Sequence, residues 1–245
     1  MTGTVCYRHP DRPAGVRCQR CDKPICPACM NSAAVGFQCP QCFSDGVKSI
    51  PRTRTSLGGI QRANGQLVTF VLIAINIFVF VVLQVSPQAR ASLPLTPMYV
   101  AAEPWRLITG DFSHFQLWHI LANMLALYQF GLVLERMLGR LRFTLLYLGA
   151  ALGGSVVVWL FSAPGMPTVG ASGAVLGLVG ALLVIERSRN LDVSWIVGYV
   201  GITALLTFLL PFISWQGHLG GFLAGAGLGW LFLQDTNRRR NKAFR

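Results

Sequence analysis

The feature that most restricts this chain is a series of apolar runs long enough to cross a lipid bilayer. A helix needs roughly 20 apolar residues to span about 30 Å of hydrocarbon. Residues 67–85, 115–134, 143–163, 168–185, 193–212 and 217–234 approach or reach that length, the fourth being short and rich in glycine. They fill most of the sequence after Gln66, and only 12% of the 245 residues are charged, against about 25% in soluble domains. The expected fold class is therefore an all-α polytopic membrane protein, a bundle of six transmembrane helices. A long Cys-rich segment precedes the first run, so that run is not expected to be cleaved as a signal peptide.

The basic residues divide sharply between the two sides that six spans would create. Those before the first run are Arg8, Arg12, Arg17, Arg20, Lys23, Lys48, Arg52, Arg54 and Arg62. Arg136, Arg140 and Arg142 follow the second run, and Arg187 and Arg189 follow the fourth. Arg238, Arg239, Arg240, Lys242 and Arg245 form the tail. Only Arg90 and Arg106 fall on the opposite side. Positive charge marks the cytoplasmic face, so both termini are expected in the cytoplasm of a multi-pass protein of a bacterial cell membrane. The net charge of +12 then follows topology, and no nucleic-acid partner is expected. Anionic lipid headgroups are the expected partners of Arg52, Arg54 and Arg238 to Arg240.

All seven cysteines lie between Cys6 and Cys42. They form, with one histidine, four pairs of the same build: Cys6 and His9, Cys18 and Cys21, Cys26 and Cys29, Cys39 and Cys42. Two-residue gaps let both members of a pair reach one ion, and eight such ligands suit two tetrahedral Zn²⁺ sites. Disulfides are the competing use, disfavoured by a reducing cytosol. The spacing leaves sequential and interleaved pairing open. Four parts are expected: a double zinc module over 1–43, a basic flexible linker over 44–66 (Lys48, Pro51, Gly58, Gly59, Gly65), a membrane domain over 67–235, and a basic tail over 236–245.

Strongly polar groups inside membrane spans are expensive and point to function. His119 and Asn123 stand four apart in the second run, on one helix face. Ser172 lies near the start of the fourth run in Gly170-Ala171-Ser172-Gly173-Ala174. His218 opens the sixth in Gly217-His218-Leu219-Gly220-Gly221. All four fall toward the non-cytoplasmic side. Glycines repeat every fourth residue at Gly217, Gly221, Gly225 and Gly229, and again at Gly173 and Gly177. Such faces let helix backbones approach closely in lipid. A lone membrane Ser usually bonds back to its own helix, and a lone His is as often structural as reactive. Four such residues at one depth favour a shared site, in which a Ser hydroxyl would lie about 2.6–3.2 Å from its base.

These residues carry a family resemblance. Trp105-Arg106, His114-x4-His119-x3-Asn123, Gly170-x-Ser172-Gly173 and His218-x2-Gly221-x3-Gly225 together resemble a rhomboid intramembrane protease. The resemblance implies a Ser–His dyad, with Ser172 as nucleophile and His218 as general base and then acid. It implies an oxyanion site from His119, Asn123 and the Ser172 backbone N–H. It gives Trp105, Arg106, His114, Glu135, Gly221 and Gly225 structural parts. Single-span or polytopic membrane proteins would be the substrates. Two positions depart from the family pattern: Leu176 stands where an aromatic ring commonly supports the catalytic His, and Ser214 and Gly217 stand where Gly and Ala are more usual. The cysteine spacing is similar to B-box zinc fingers, which implies the interleaved pairing and a cytoplasmic protein partner. A silent escort protein of the same fold and a proton-coupled carrier are rival functions. Both Ser172 and His218 are present, which disfavours the first. No acid stands among the polar span residues, which disfavours the second.

Overall fold

The computed structural model describes residues 4–50, 53–61, 66–210 and 213–243. Pro51, Arg52, Arg62, Gly65, Phe212 and Arg245, used above, lie outside the described residues. The chain divides into two compact units between Arg52 and Thr53.

The first unit holds two two-stranded antiparallel ribbons, β1 (Val16–Arg17) with β2 (Pro24–Ile25) and β3 (Asn31–Ser32) with β4 (Phe37–Gln38). Helix α1 (Pro40–Ser49) follows. Apart from Ile25, its fully buried hydrophobic positions are the cysteines Cys6, Cys18, Cys26, Cys29 and Cys39. So small a core cannot hold a fold of this size alone, and small domains of this kind need a metal or cross-link. The expected flexible linker is structured where it is described. Part of it belongs to α1. Residues 53–61 form a tight turn belonging to the second unit, with Arg54 bridged to Ile60.

The second unit is a helical bundle. Its long helices are α2 (Leu67–Val85), α5 (Leu117–Leu138), α6 (Arg140–Phe161), α7 (Ser172–Ser188), α8 (Ser194–Leu209) and α9 (Trp215–Ala243). Short helices α3 (Pro87–Ser92) and α4 (Arg106–Phe112) occupy the connection between α2 and α5. Each of these six long helices overlaps one of the six apolar runs. By length and composition alone, α2, α5 and α6 are long and apolar enough to cross a membrane among the described residues, and α8 is a shorter apolar helix. Helix α7 is also short, at 17 residues. It starts four residues later than the apolar run because Thr168 pairs with Leu95 as an isolated bridge and Gly170 sits at φ +119, outside helical space and costly for any residue but glycine.

Helix α7 is the centre of the bundle, with a continuous buried stretch from Gly173 to Leu182. Helix α9 packs between it and α6 with almost no side chain intervening. A Cβ placed on Gly221 would lie 2.0 Å from the Gly173 carbonyl oxygen, and one on Gly225 would lie 2.0 Å from the Gly177 oxygen. On the α6 side, a Cβ on Gly220 would meet the Gly153 oxygen at 2.7 Å, and one on Gly154 the Gly217 oxygen at 2.7 Å. Two glycine faces thus let α9 touch two neighbours backbone to backbone. In lipid, where burial of apolar surface gives no force between helices, such close contact supplies the attraction.

The opposite end of the bundle is closed by charged groups. Glu135, fully buried, accepts hydrogen bonds from the Val68 N–H (2.9 Å), the Thr69 N–H (2.8 Å) and the Thr69 hydroxyl (2.8 Å). A carboxylate on unpaired N–H groups at a helix start is favoured by both hydrogen bonding and the helix dipole. Leu57 is 2% exposed, and its N–H donates to the Met137 carbonyl at 3.0 Å. Its own carbonyl accepts from Arg142 and Thr236, and Arg142 also pairs with Asp235.

Gly225→Ala is expected to lower the unfolding midpoint of the detergent-solubilised protein, because overpacking costs about 1–3 kcal/mol or more. Gly227→Ala, where nothing lies within 4 Å of the new methyl, is expected to leave it unchanged or raise it. Equal effects would remove the backbone contact as the reason for the glycine repeat.

Candidate active site and metal centres

Ser172 is the first residue of α7, with Ala171 as its cap. The first hydrogen bond to the cap carbonyl comes from the Val175 N–H at 2.9 Å. The N–H groups of residues 172–174 are therefore left over by the helix, in the arrangement that favours an anion. Ala171 N–H donates to His114 Nε2 at 3.4 Å. That leaves the His114 proton on Nδ1, which is buried with no hydrogen-bond partner among the described residues. His114 is fully buried, and burial, with His119 nearby, holds its pKa down at about 4. It is a neutral strut under the start of α7.

His119 and Asn123 occupy one face of α5, as their spacing requires. His119 stacks edge-on to His114, ring centres 5.0 Å apart. A Cβ on Gly170 would lie 2.6 Å from the His119 ring and 3.7 Å from Asn123 Nδ2. The His119 ring therefore presses on the backbone two residues before Ser172, with Asn123 in ordinary contact beside it, and only glycine fits there. Asn123 Nδ2 donates to the His119 carbonyl at 3.0 Å, which holds the amide against its own helix with a second N–H to spare.

His218 lies in the first turn of α9, half-buried. It flanks the contact between α7 and α9: a Cβ on Gly173 would lie 3.0 Å from the Gly217 oxygen, while Gly221 meets the Gly173 carbonyl. Ser172 and His218 are thus each one residue from a point where the two backbones touch. The expected Ser–His hydrogen bond is not formed; among the described residues the Ser172 hydroxyl has no hydrogen-bond partner. It does not bond back to its own helix either, because a residue at the first position has no preceding turn to bond to. The imidazole of His218 instead meets the Thr207 hydroxyl on α8, Nδ1 to Oγ1, at 2.8 Å. Leu176 is buried in α7.

Trp105 and Arg106 serve the connection that carries α4. Arg106, 3% exposed, donates to the Pro94 carbonyl (2.7 Å) and the Ala91 carbonyl (2.9 Å) and pairs with Glu103. Trp105 Nε1 donates to the Ser92 carbonyl at 3.3 Å.

Two polar elements escape the sequence reading. Thr207 is one. The other is Asp111 on α4, which accepts from the Ser155 hydroxyl at 2.8 Å and whose Oδ1 would lie 3.8 Å from a Cβ on Gly173. Burial pushes the Asp111 carboxyl up to about 8. Asp111 lies outside every apolar run, in a connection where an acid is ordinary and carries no signal of its own.

In the N-terminal unit the eight predicted ligands converge in two groups: Cys6, His9, Cys26 and Cys29, and Cys18, Cys21, Cys39 and Cys42. Within each, the ligand atoms all lie within 4.8 Å of one another. This is the interleaved arrangement. His9 Nδ1 stands 3.9, 3.4 and 3.3 Å from the sulfurs of Cys6, Cys26 and Cys29, and the Cys21 and Cys39 sulfurs are 3.8 Å apart. A tetrahedral zinc with bonds of about 2.3 Å to S and about 2.0–2.1 Å to N sets ligand separations of roughly 3.5–3.8 Å. Each group fits one ion, and the sulfurs are far too distant for a disulfide. The Cys39 N–H donates to Cys18 Sγ at 3.2 Å and the Cys42 N–H to Cys39 Sγ at 3.4 Å, the outer bonds that orient thiolate ligands.

Elemental analysis of purified protein is expected to find two zinc ions per chain, falling to one in Cys18→Ser; no zinc would refute the reading. A second prediction concerns Asp111. Its folded pKa stands above its unfolded value, so the native state binds more protons between about pH 4 and 8. Its contribution to stability is full below pH 4 and is lost as pH rises through 8. Asp111→Asn, which stays neutral, is expected to flatten the fall in unfolding midpoint over this window. An unchanged slope would contradict it.

Comparison with known proteins agrees with this anatomy. Residues 101–235 match the family model for the Rhomboid domain, and residues 2–33 match that for the B-box zinc finger. The chain is 39% identical over 142 residues to RHOMBOID-like protein 1 of Arabidopsis thaliana, covering 54% of this chain and 35% of that one. It is 37% identical over 144 residues to RHOMBOID-like protein 6, mitochondrial, of the same plant, covering 54% and 45%. It is 33% identical over 177 residues to Rhomboid protease GluP of Bacillus subtilis (strain 168), covering 66% and 34%. The matches span about a third to somewhat under half of the length of these relatives. The Rhomboid match takes in more than half of the chain, and it covers Ser172, His218, His119 and Asn123. The chain belongs to the rhomboid family of integral membrane proteins and carries a B-box zinc finger ahead of its membrane domain.

Proposed function

We propose that this protein is an intramembrane serine endopeptidase that hydrolyses a peptide bond in or beside a transmembrane segment of other membrane proteins. The observation that carries the reading is the backbone contact of α7 and α9 at Gly173, Gly217 and Gly221, beside Ser172 on one helix and His218 on the other.

In this reading His218 Nε2 takes the Ser172 proton as Oγ attacks the scissile carbonyl. The tetrahedral oxyanion forms against the spare N–H groups at the start of α7, with His119 and the free N–H of Asn123 as further donors. One such donor is typically worth about 10²–10³ in rate. His218 then gives the proton to the leaving amine, and water, activated by the same imidazole, frees the acyl-enzyme. His114 and Arg106 act at a distance, holding the start of α7 and the α4 connection.

The proposal includes six membrane passes with both termini cytoplasmic, a reading that the Lys and Arg distribution supports. At about 1.5 Å per residue, the 17 residues of α7 reach about 25 Å, less than the roughly 30 Å of hydrocarbon. Ser172 would therefore lie below the outer surface. Anionic lipids would meet the basic tail, and the two zinc ions would have a structural role in a module that recruits a cytoplasmic protein.

The test is cleavage of a purified single-span substrate by the full chain in lipid vesicles. Ser172→Ala and His218→Ala are each expected to abolish cleavage, and loss of residues 1–43 is expected to spare it. Cleavage at full rate by Ser172→Ala would end the proposal.

A further inference from the structure

The dyad leaves one question of chemistry open. For His218 to act as base, its neutral ring must carry the proton on Nδ1 and keep Nε2 free. Serine hydrolases with a triad fix this tautomer with a carboxylate on Nδ1. Among the described residues no carboxylate bonds to His218.

Its Nδ1 instead meets Thr207 Oγ1 at 2.8 Å. A threonine hydroxyl has a single proton to give and can accept as well. That proton is committed, because Thr207 Oγ1 also lies 2.7 Å from the Thr203 carbonyl oxygen one turn earlier on α8, and a carbonyl can only accept. The Thr207 oxygen must therefore accept from His218, and the proton between them belongs to Nδ1. We infer that Thr207 is the positioning residue that fixes the tautomer and ring plane of His218, taking the place of an acid.

The setting agrees. Most of α8 is exposed at the bundle surface, but Thr207 is 7% exposed and is, with Ile196, one of two buried residues on that helix. The Thr203 carbonyl is fixed within the helix, and Thr203 Oγ1 itself bonds back to Tyr199 at 2.8 Å. The Thr207 oxygen therefore presents its lone pairs from a rigid support. Leu176 offers no polar atom for this purpose, and a Leu at that position is tolerable if orientation comes from α8.

The inference rests on the reading of His218 as base, and the experiment separates the two. Thr207→Val keeps the shape and removes the hydroxyl; Thr207→Ser restores it. Imidazole nitrogen NMR of the full chain in lipid vesicles, with the His218 signal assigned by its loss in His218→Asn, reads the tautomer without substrate. The wild type and Thr207→Ser are expected to show Nδ1 protonated. Thr207→Val is expected to show a mixture. With a single-span substrate, Thr207→Val should lower kcat by about tenfold, the scale of one neutral hydrogen bond, with KM unchanged, and Thr207→Ser should recover most of the loss. An unchanged tautomer and kcat in Thr207→Val would overturn the inference even if Ser172→Ala is inactive. Cleavage by Ser172→Ala would overturn the dyad, while the tautomer measurement would still decide the part played by Thr207.

Discussion

Everything else in the membrane domain depends on the absence of side chains where α9 meets α7. A carbonyl oxygen 2.0 Å from where a Cβ would stand leaves no room for even a methyl group, so the helix separation is set by backbone against backbone. Two consequences follow. The first turns of α7 and α9, which carry Ser172 and His218, are brought side by side, and their separation is fixed by rigid elements instead of flexible side chains. The proposed Ser172–His218 pair, which has no carboxylate, would need that rigidity, since no third charged group would correct its alignment.

Much of this was legible in the sequence because membrane folds are built from few rules. The length of apolar runs found the six long helices, and the four-residue glycine repeat at Gly217, Gly221, Gly225 and Gly229 marked the face that meets α7. The repeat on α6, Gly149 and Gly153, carries a weaker signal, because its helix has ordinary bulky residues around it and no reactive residue beside it. Gly153 and Gly154 nevertheless form the other side of the slot that holds α9. Helix α7 starts four residues later than its apolar run for a physical reason. Thr168 is uncharged and does not interrupt a run, but the bridge to Leu95 and the backbone turn at Gly170 are long-range facts that hydropathy does not carry.

The site was readable only in part. Histidine and serine within lipid-facing sequence announce themselves by cost. Threonine does not, since it can satisfy its hydroxyl on its own helix, as Thr203 does, and so Thr207 looks like any other span residue until its neighbour is seen. Asp111 was hidden in the opposite way: it stands in a connection, where acids are ordinary, and becomes unusual only because the connection folds inward against Ser155. The zinc ligands were the reverse case. Their identities were plain, but two pairings satisfied the spacing equally, and only the convergence of Cys6 with Cys29 and of Cys18 with Cys42 selects between them.

The Leu57 turn has a topological consequence. Arg142 gathers the carbonyl of Leu57, from the segment before the first long helix, and the carboxylate of Asp235, near the end of the last. The two ends of the helical unit are therefore clasped at one guanidinium. A chain whose ends are already neighbours can be cut elsewhere and rejoined there. This membrane domain is accordingly suited to circular permutation, with the join beside Arg142 and new ends in a connection remote from the clasp.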